Sequence, residues 1–320
     1  MEKQIRIFLE NAGWCRNISS VKFLAAGEYN QNYLVRDAEK GKSVFRINHG
    51  SQLGLDNQIE YEFSVLKAVE ASTVTPKAYH CDGGTGDFGG GVLLMKFLPG
   101  RPLDYKKDGK RAARIFSKIH TLPPSAALII QDNPVLDIAR ESNFLLHKYK
   151  DHPLKKEYAT LLEYHGRIRT LGQDHGPYFK NEATCIVNTE VNSHNFLISD
   201  SNAFLVDWEK AVVSYRYQDL GHFLVPTTTL WKSDEVYTDT EKRSFLKYYL
   251  KATHLDIPFE ELFFKTRLLE KTILLRGLSW CFMAYYEYTE TERALKNRET
   301  FNKIKQYLSE MDWLLTSLES

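Results

Sequence analysis

Residues 188–209 read Asn188-Thr189-Glu190-Val191-Asn192-Ser193-His194-Asn195-Phe196-Leu197-Ile198-Ser199-Asp200-Ser201-Asn202-Ala203-Phe204-Leu205-Val206-Asp207-Trp208-Glu209. Two short apolar runs flank Asp200-Ser201-Asn202, a pattern that predicts a hairpin with a polar turn. Folding it about Ser201 pairs Phe196 with Val206, Leu197 with Leu205 and Asn195 with Asp207. Directly opposed residues of an antiparallel pair hold their Cβ atoms about 4.5–5.5 Å apart. An amide oxygen and a carboxylate would therefore meet at the open end, a spacing that suits one or two Mg²⁺ ions. Asn and Asp also end strands simply as turn formers. Glu190 before Asn195, and Trp208-Glu209 after Asp207, add weight to the chemical reading.

On either side of this island, residues 183–209, the spacing of apolar residues is mainly helical. It predicts helices over 112–122, 135–149, 153–171, 239–252, 259–286 and 290–318. Upstream the pattern changes. After a short helix with Ile5, Phe8 and Leu9 on one face, Val21, Phe23 and Ala25 alternate with polar neighbours, Tyr33 to Val35 resume the run, and Val44 to Ile47 follow the turn Lys40-Gly41-Lys42. These read as three strands. A helix over 58–71 follows, with Asp56 or Asn57 as its N-cap. Runs over 78–81 and 92–98 then flank a glycine-dense loop at 83–91. The expected organisation is α+β, a small antiparallel sheet lobe over 1–98 and a larger, mainly helical lobe over 99–320, with Pro99-Gly100-Arg101-Pro102 at the boundary.

Composition narrows the function classes. The chain has 320 residues, 43% hydrophobic and 26% charged, with 42 Lys and Arg against 41 Asp and Glu. There is ample material for a core and no net positive field for nucleic acid or a membrane surface, so neither is expected as a partner. Cys15, Cys81, Cys185 and Cys281 are too scattered for a zinc knuckle or disulfide framework and read as reduced thiols. The charged start and the lack of a long apolar run predict a cytoplasmic protein.

The segment 188–209 resembles the aminoglycoside phosphotransferase and choline kinase-like family, relatives of the protein kinases. In that family the catalytic loop reads H-G-D-x-x-x-x-N before an apolar strand, and a metal-binding Asp follows the partner strand, often as D-W or D-W-E. The resemblance implies a bilobal protein-kinase-like fold and a catalytic set of Glu190, Asn195 and Asp207. Asn195 and Asp207 would hold Mg²⁺, and Glu190 stands at the place of the catalytic Asp. Asn188 stands where the family has His.

Further segments are similar to parts of the same family. Ala26 to Val35, with Gly27, Asn30 and Asn32, looks like a divergent version of the hairpin over the nucleotide phosphates. Arg46, flanked by apolar residues in β-patterned Val44-Phe45-Arg46-Ile47, needs an anionic partner; the following helix offers Glu60 and Glu62, and the resemblance implies Glu62, because the spacing Glu62, Leu66, Val69 fits the family's helix better. Val92 to Leu103 resembles the connection between lobes, so backbone groups of Met95 and Phe97 would meet the adenine edge and Lys96 would face solvent. His120 is expected to be structural and Asp219 to brace the catalytic loop.

The implied activity is Mg²⁺-dependent transfer of a phosphoryl group from ATP or GTP to a hydroxyl of a small molecule, by a monomer or homodimer. A sugar, an amino alcohol or a nucleoside-like alcohol is expected as acceptor. An aminoglycoside is a weaker expectation, because the chain from Asp207 onward lacks the acidic excess that a polycation requires. Trp280, Phe282, Tyr285, Tyr286 and Tyr288 either cage such a ligand or pack a core. The alternative is a non-catalytic, nucleotide-binding relative in which Glu190 and Asn188 mark impaired transfer.

Overall fold

Alternating residues near the start build an antiparallel sheet. The computed structural model describes residues 1–27, 29–51, 53–84, 86–291 and 297–319. Helix α1 (Glu2–Asn11) buries Ile5 and Leu9, and β1 (Ile18–Ala26), β2 (Asn30–Asp37) and β3 (Gly41–Asn48) follow. Helix α2 (Gln58–Val69) starts at Asn57, whose side chain accepts the Glu60 N–H at 3.2 Å. With β4 (Ala78–Asp82) and β5 (Val92–Lys96) the sheet runs β1-β2-β3-β5-β4, antiparallel at every junction. Central β3 is buried from Ser43 to Asn48, so Arg46 lies inside the protein.

The edge strand departs from its expected pattern. Val21 is buried, but Phe23 is 56% exposed and Ala25, beyond a shift in the pairing of β1 with β2, is also open. The glycine-dense loop has a steric reason at one position: a Cβ on Gly90 would sit 1.9 Å from the Asn48 carbonyl oxygen.

The rest of the chain is mostly helical: α3 (Gly109–His120), α4 (Pro134–His147), α5 (Lys155–His175), α6 (Tyr217–Leu224), α7 (Pro226–Thr229), α8 (Asp239–Thr253), α9 (Phe259–Thr289), α10 (Arg298–Ser309) and α11 (Met311–Thr316). Helix α9 is the spine, packed against α4, α5, α6, α8 and α10. The single helix expected over 290–318 is instead α10 and α11, broken at Glu310; its start falls partly on 292–296, outside the described residues. Helices α6 and α7 were too short to show in the periodicity.

Between α5 and α6 lie two ribbons, β6 (Cys185–Val187) with β9 (Val212–Ser214) and β7 (Phe196–Ile198) with β8 (Ala203–Leu205). The non-helical island thus runs past Glu209 to Ser214. Phe116 of α3 meets both Phe196 and Phe223 edge-on, an aromatic cluster that seats β7 in the core. All four cysteines are free. Among the described residues no helix is long and apolar enough to cross a membrane.

Candidate active site

The hairpin β7–β8 has a register one residue different from that expected. Phe196 pairs with Leu205, Leu197 with Phe204 and Ile198 with Ala203. The turn closes through the Ser199 N–H on the Asn202 carbonyl at 2.9 Å, leaving two loop residues where folding about Ser201 assumed three. Asn195 therefore opposes Val206, whose N–H donates to the Asn195 carbonyl at 2.8 Å. Asp207 comes one position later, in left-handed backbone with φ 66°. Asn195 and Asp207 still line the same cavity, of about 700 Å³, together with Glu190 and Glu209.

The sheet supplies the facing wall. Gly27, Asn30, Asn32 and Arg46 line the same cavity. The Arg46 guanidinium donates from Nη1 to Glu62 Oε1 at 2.6 Å and to Asp207 Oδ1 at 3.1 Å, and from Nε to Asn32 Oδ1 at 3.0 Å. Burial works against this cation, but Glu62, Asp207 and Glu209 outweigh it and raise its pKa. Burial raises the Glu62 pKa, and Arg46 pulls the other way. The expected Arg46–Glu62 pair is thus present, and it reaches Asp207 as well.

Two of the expected nucleotide contacts lie elsewhere. Met95 is packed in the core, and neither it nor Phe97 is among the cavity-lining residues. The Phe97 N–H is engaged by the Lys42 carbonyl at 3.2 Å, and Lys96 is exposed as expected.

Buried polar groups hold the loop that carries Glu190. Asp219 accepts the Asn188 N–H and the Thr189 N–H, each at 2.9 Å. His120 Nε2 lies 3.2 Å from the same Asp219 carboxylate, and its Nδ1 lies 2.9 Å from the Tyr249 hydroxyl. Asp219 therefore braces the loop and His120 is structural, both as expected. Thr189 takes left-handed backbone at φ 65°. Asn188 ties the two halves of the site together: its Nδ2 donates to the Asp207 carbonyl at 2.8 Å and its Oδ1 accepts the Glu190 N–H at 3.0 Å. Asn195 Nδ2 donates to the Glu190 carbonyl at 2.6 Å, which turns the amide oxygen to other use.

Two residues at the site had been given no role. Glu209 Oε2 accepts from Asn30 Nδ2 at 2.6 Å, and the Glu209 carbonyl accepts from Gln58 Nε2 at 2.7 Å. Lys210 Nζ lies 3.3 Å from Glu190 Oε1. The carboxylate oxygens of Glu190, Asp207 and Glu209 lie within 4.8 Å of one another. Burial first, then Asp207 and Glu190, push the Glu209 carboxyl up to about 8. Three carboxylates this close, with Asn195 beside them, form an all-oxygen donor set suited to a hard divalent cation. The one sequence signal for Glu209 and Lys210 was their place directly after Asp207-Trp208. Of the late aromatic residues, Phe282 and Tyr288 pack the core, while Trp280 lines the cavity.

With a kinase-like sheet, a braced loop and an acidic cluster in place, the chain can be assigned to a class. It belongs to the phosphotransferase enzyme family, whose profile matches residues 20–263. Its fold is similar to that of choline kinase from Cryptosporidium parvum Iowa II, at 15% identity over 99% of this chain and 97% of that one, TM-score 0.63. Choline kinase from Streptococcus pneumoniae is similar at 18% identity over 99% of each chain, TM-score 0.63. So is the GDP complex of an aminoglycoside 2'-phosphotransferase variant, at 14% identity over 100% of each chain, TM-score 0.63. At these identities the likeness is one of fold. No curated protein matches the sequence.

Proposed function

We propose that the chain transfers the γ-phosphoryl group of ATP or GTP, with Mg²⁺, to a hydroxyl of a small molecule. The observation that carries this reading is the meeting, in one cavity, of Arg46 anchored on Glu62 with the group Glu190, Asn195 and Asp207. In this reading residues 1–98 form the nucleotide-facing lobe and 99–320 the lobe that receives the acceptor. The turn carrying Gly27, Asn30 and Asn32 covers the phosphates, and Arg46 contacts the α and β phosphates.

Asn195 and Asp207 would hold Mg²⁺, which when bound supplies positive charge against the β and γ phosphates. Glu190 orients the acceptor hydroxyl and takes its proton as the new oxygen–phosphorus bond forms and the bond to the leaving nucleoside diphosphate breaks. Sugars and amino alcohols are the acceptor classes carried forward, with aminoglycosides behind them. The protein acts in the cytoplasm, as a monomer or homodimer, without nucleic acid or membrane.

The Lys210 ammonium 3.3 Å from Glu190 Oε1 supports a second reading, a nucleotide-binding protein with impaired transfer, because it engages an oxygen that would otherwise meet the acceptor hydroxyl. Calorimetric binding of ATP and GTP, with and without Mg²⁺, tests what both readings share. Metal-dependent binding that Asp207→Asn abolishes is expected; equal binding by the variant removes Asp207 from the site. Turnover then separates the two readings.

A further inference from the structure

Beyond the acidic cluster the cavity is walled by Glu141 on α4 and Lys148 just past its end, Thr227 and Thr228 on α7, and Arg276 and Trp280 on α9. The acid of this wall, Glu141, is already answered by a cation, and so is Glu190 in the cluster. Arg276 Nε donates to Glu141 Oε1 at 3.2 Å, and Lys210 lies 3.3 Å from Glu190. Lys148 is likewise held, 2.7 Å from Glu287. What remains unspent is donor capacity. The Arg276 side chain is 12% exposed and uses its Nε on Glu141, while its two terminal nitrogens make no hydrogen bond to the described residues. The Thr227 and Thr228 hydroxyls of the same wall also make none. The His222 imidazole on this wall is held well below its ordinary pKa, by burial first and then by the Arg276 and Lys210 cations, and so adds no charge of its own.

A nearly buried guanidinium with an open fork matches the paired oxygens of a carboxylate or phosphate. An ammonium placed there would face Arg276 and Lys210, and Glu141, the acid of this wall, is already held by Arg276. We infer that the acceptor alcohol carries an anionic group, carboxylate or phosphate, seated on Arg276 and the hydroxyls of Thr227 and Thr228. This rests on the phosphotransferase reading and narrows its substrate class away from amino alcohols.

The test is ADP release under saturating Mg²⁺ and ATP with four probes: D-glycerate, sn-glycerol 3-phosphate, glycerol and choline. One of the two anionic probes is expected to lead the others, D-glycerate assigning a carboxylate and the glycerol phosphate a phosphate. Arg276→Lys keeps a cation beside Glu141 but loses the fork, and should raise KM for the leading probe by about tenfold or more while nucleotide affinity holds. Choline or glycerol used as well as either anion, or an unchanged KM in Arg276→Lys, overturns the inference. Silence with all four probes in a protein that binds Mg·ATP also overturns it and leaves the transfer reading in place. Failure to bind Mg·ATP overturns the transfer reading itself.

Discussion

Arg46 places a positive charge where sheet, helix and hairpin meet, with Asn32, Glu62 and Asp207 as partners. Removing one member of a buried ion pair costs far more than the pair is worth, because the other charge is left in a poor solvent. Arg46→Met should therefore destabilise the protein by about 3–5 kcal/mol in urea unfolding. The double variant Arg46→Met/Glu62→Met should recover most of that loss without recovering nucleotide binding. A loss below about 1 kcal/mol in the single variant would mean that Glu62 is already neutral there. Glu190→Gln should lower kcat by about a hundredfold or more, the ordinary reach of a positioned base, with nucleotide affinity within twofold. Unchanged turnover would take Glu190 out of the chemistry. That Arg46 needs an acid was readable in the sequence, because a cation inside an apolar strand demands one nearby, and the family resemblance pointed to Glu62 rather than Glu60. Glu209 was not, since its partner Asn30 lies 179 positions away and no local pattern announces such a bond.

Among the elements, the β7–β8 hairpin shows where pattern alone runs short. Asp200, Ser201 and Asn202 are all turn formers, and apolar runs on both sides fit a two-residue or a three-residue loop equally well. Contacts with the linker between sheet and helices accompany the observed choice. Arg101 and Ile198 exchange backbone hydrogen bonds at 2.9 and 2.8 Å, and a Cβ on Gly100 would lie 2.6 Å from the Leu197 carbonyl carbon. Gly100→Ala should push β7 off the linker and cost about 1–3 kcal/mol, with weaker Mg²⁺-dependent nucleotide binding because Asn195 directly precedes that strand. Thermal melts and calorimetry on one preparation would measure both, and a neutral result would show that the linker does not set the register.

Helix α8 allows a cleaner test of local chemistry. Thr238 and Glu241 form a capping box, and Lys106 also bonds Glu241. Lys106 first, then Thr238, hold the Glu241 carboxyl down to about 2, below its ordinary 4.5. A depressed folded pKa adds stability above 4.5 that fades as pH falls towards 2. Glu241→Gln should thus be less stable than the parent at pH 7 and equal to it near pH 2 by urea titration. A gap that persists at low pH would assign its effect to packing.

At the scale of the whole molecule, the sheet followed by helices was readable because period two gives way to period 3.6 near the Pro-Gly linker. Helices α6 and α7 were not, being shorter than the window in which a helical stripe can repeat. The break at Glu310 escaped because the apolar spacing of α10 and α11 continues across it. How the lobes meet was also beyond reach, since it rests on bonds such as Gln58 to the Glu209 carbonyl, 151 positions apart. Arg46 carries that span into the order of synthesis. Its partner Glu62 is 16 positions away and its partner Asp207 is 161. A chain leaving the ribosome therefore holds a matched charge pair long before its acidic cluster has been made, and the half-finished sheet has no lone cation to hide.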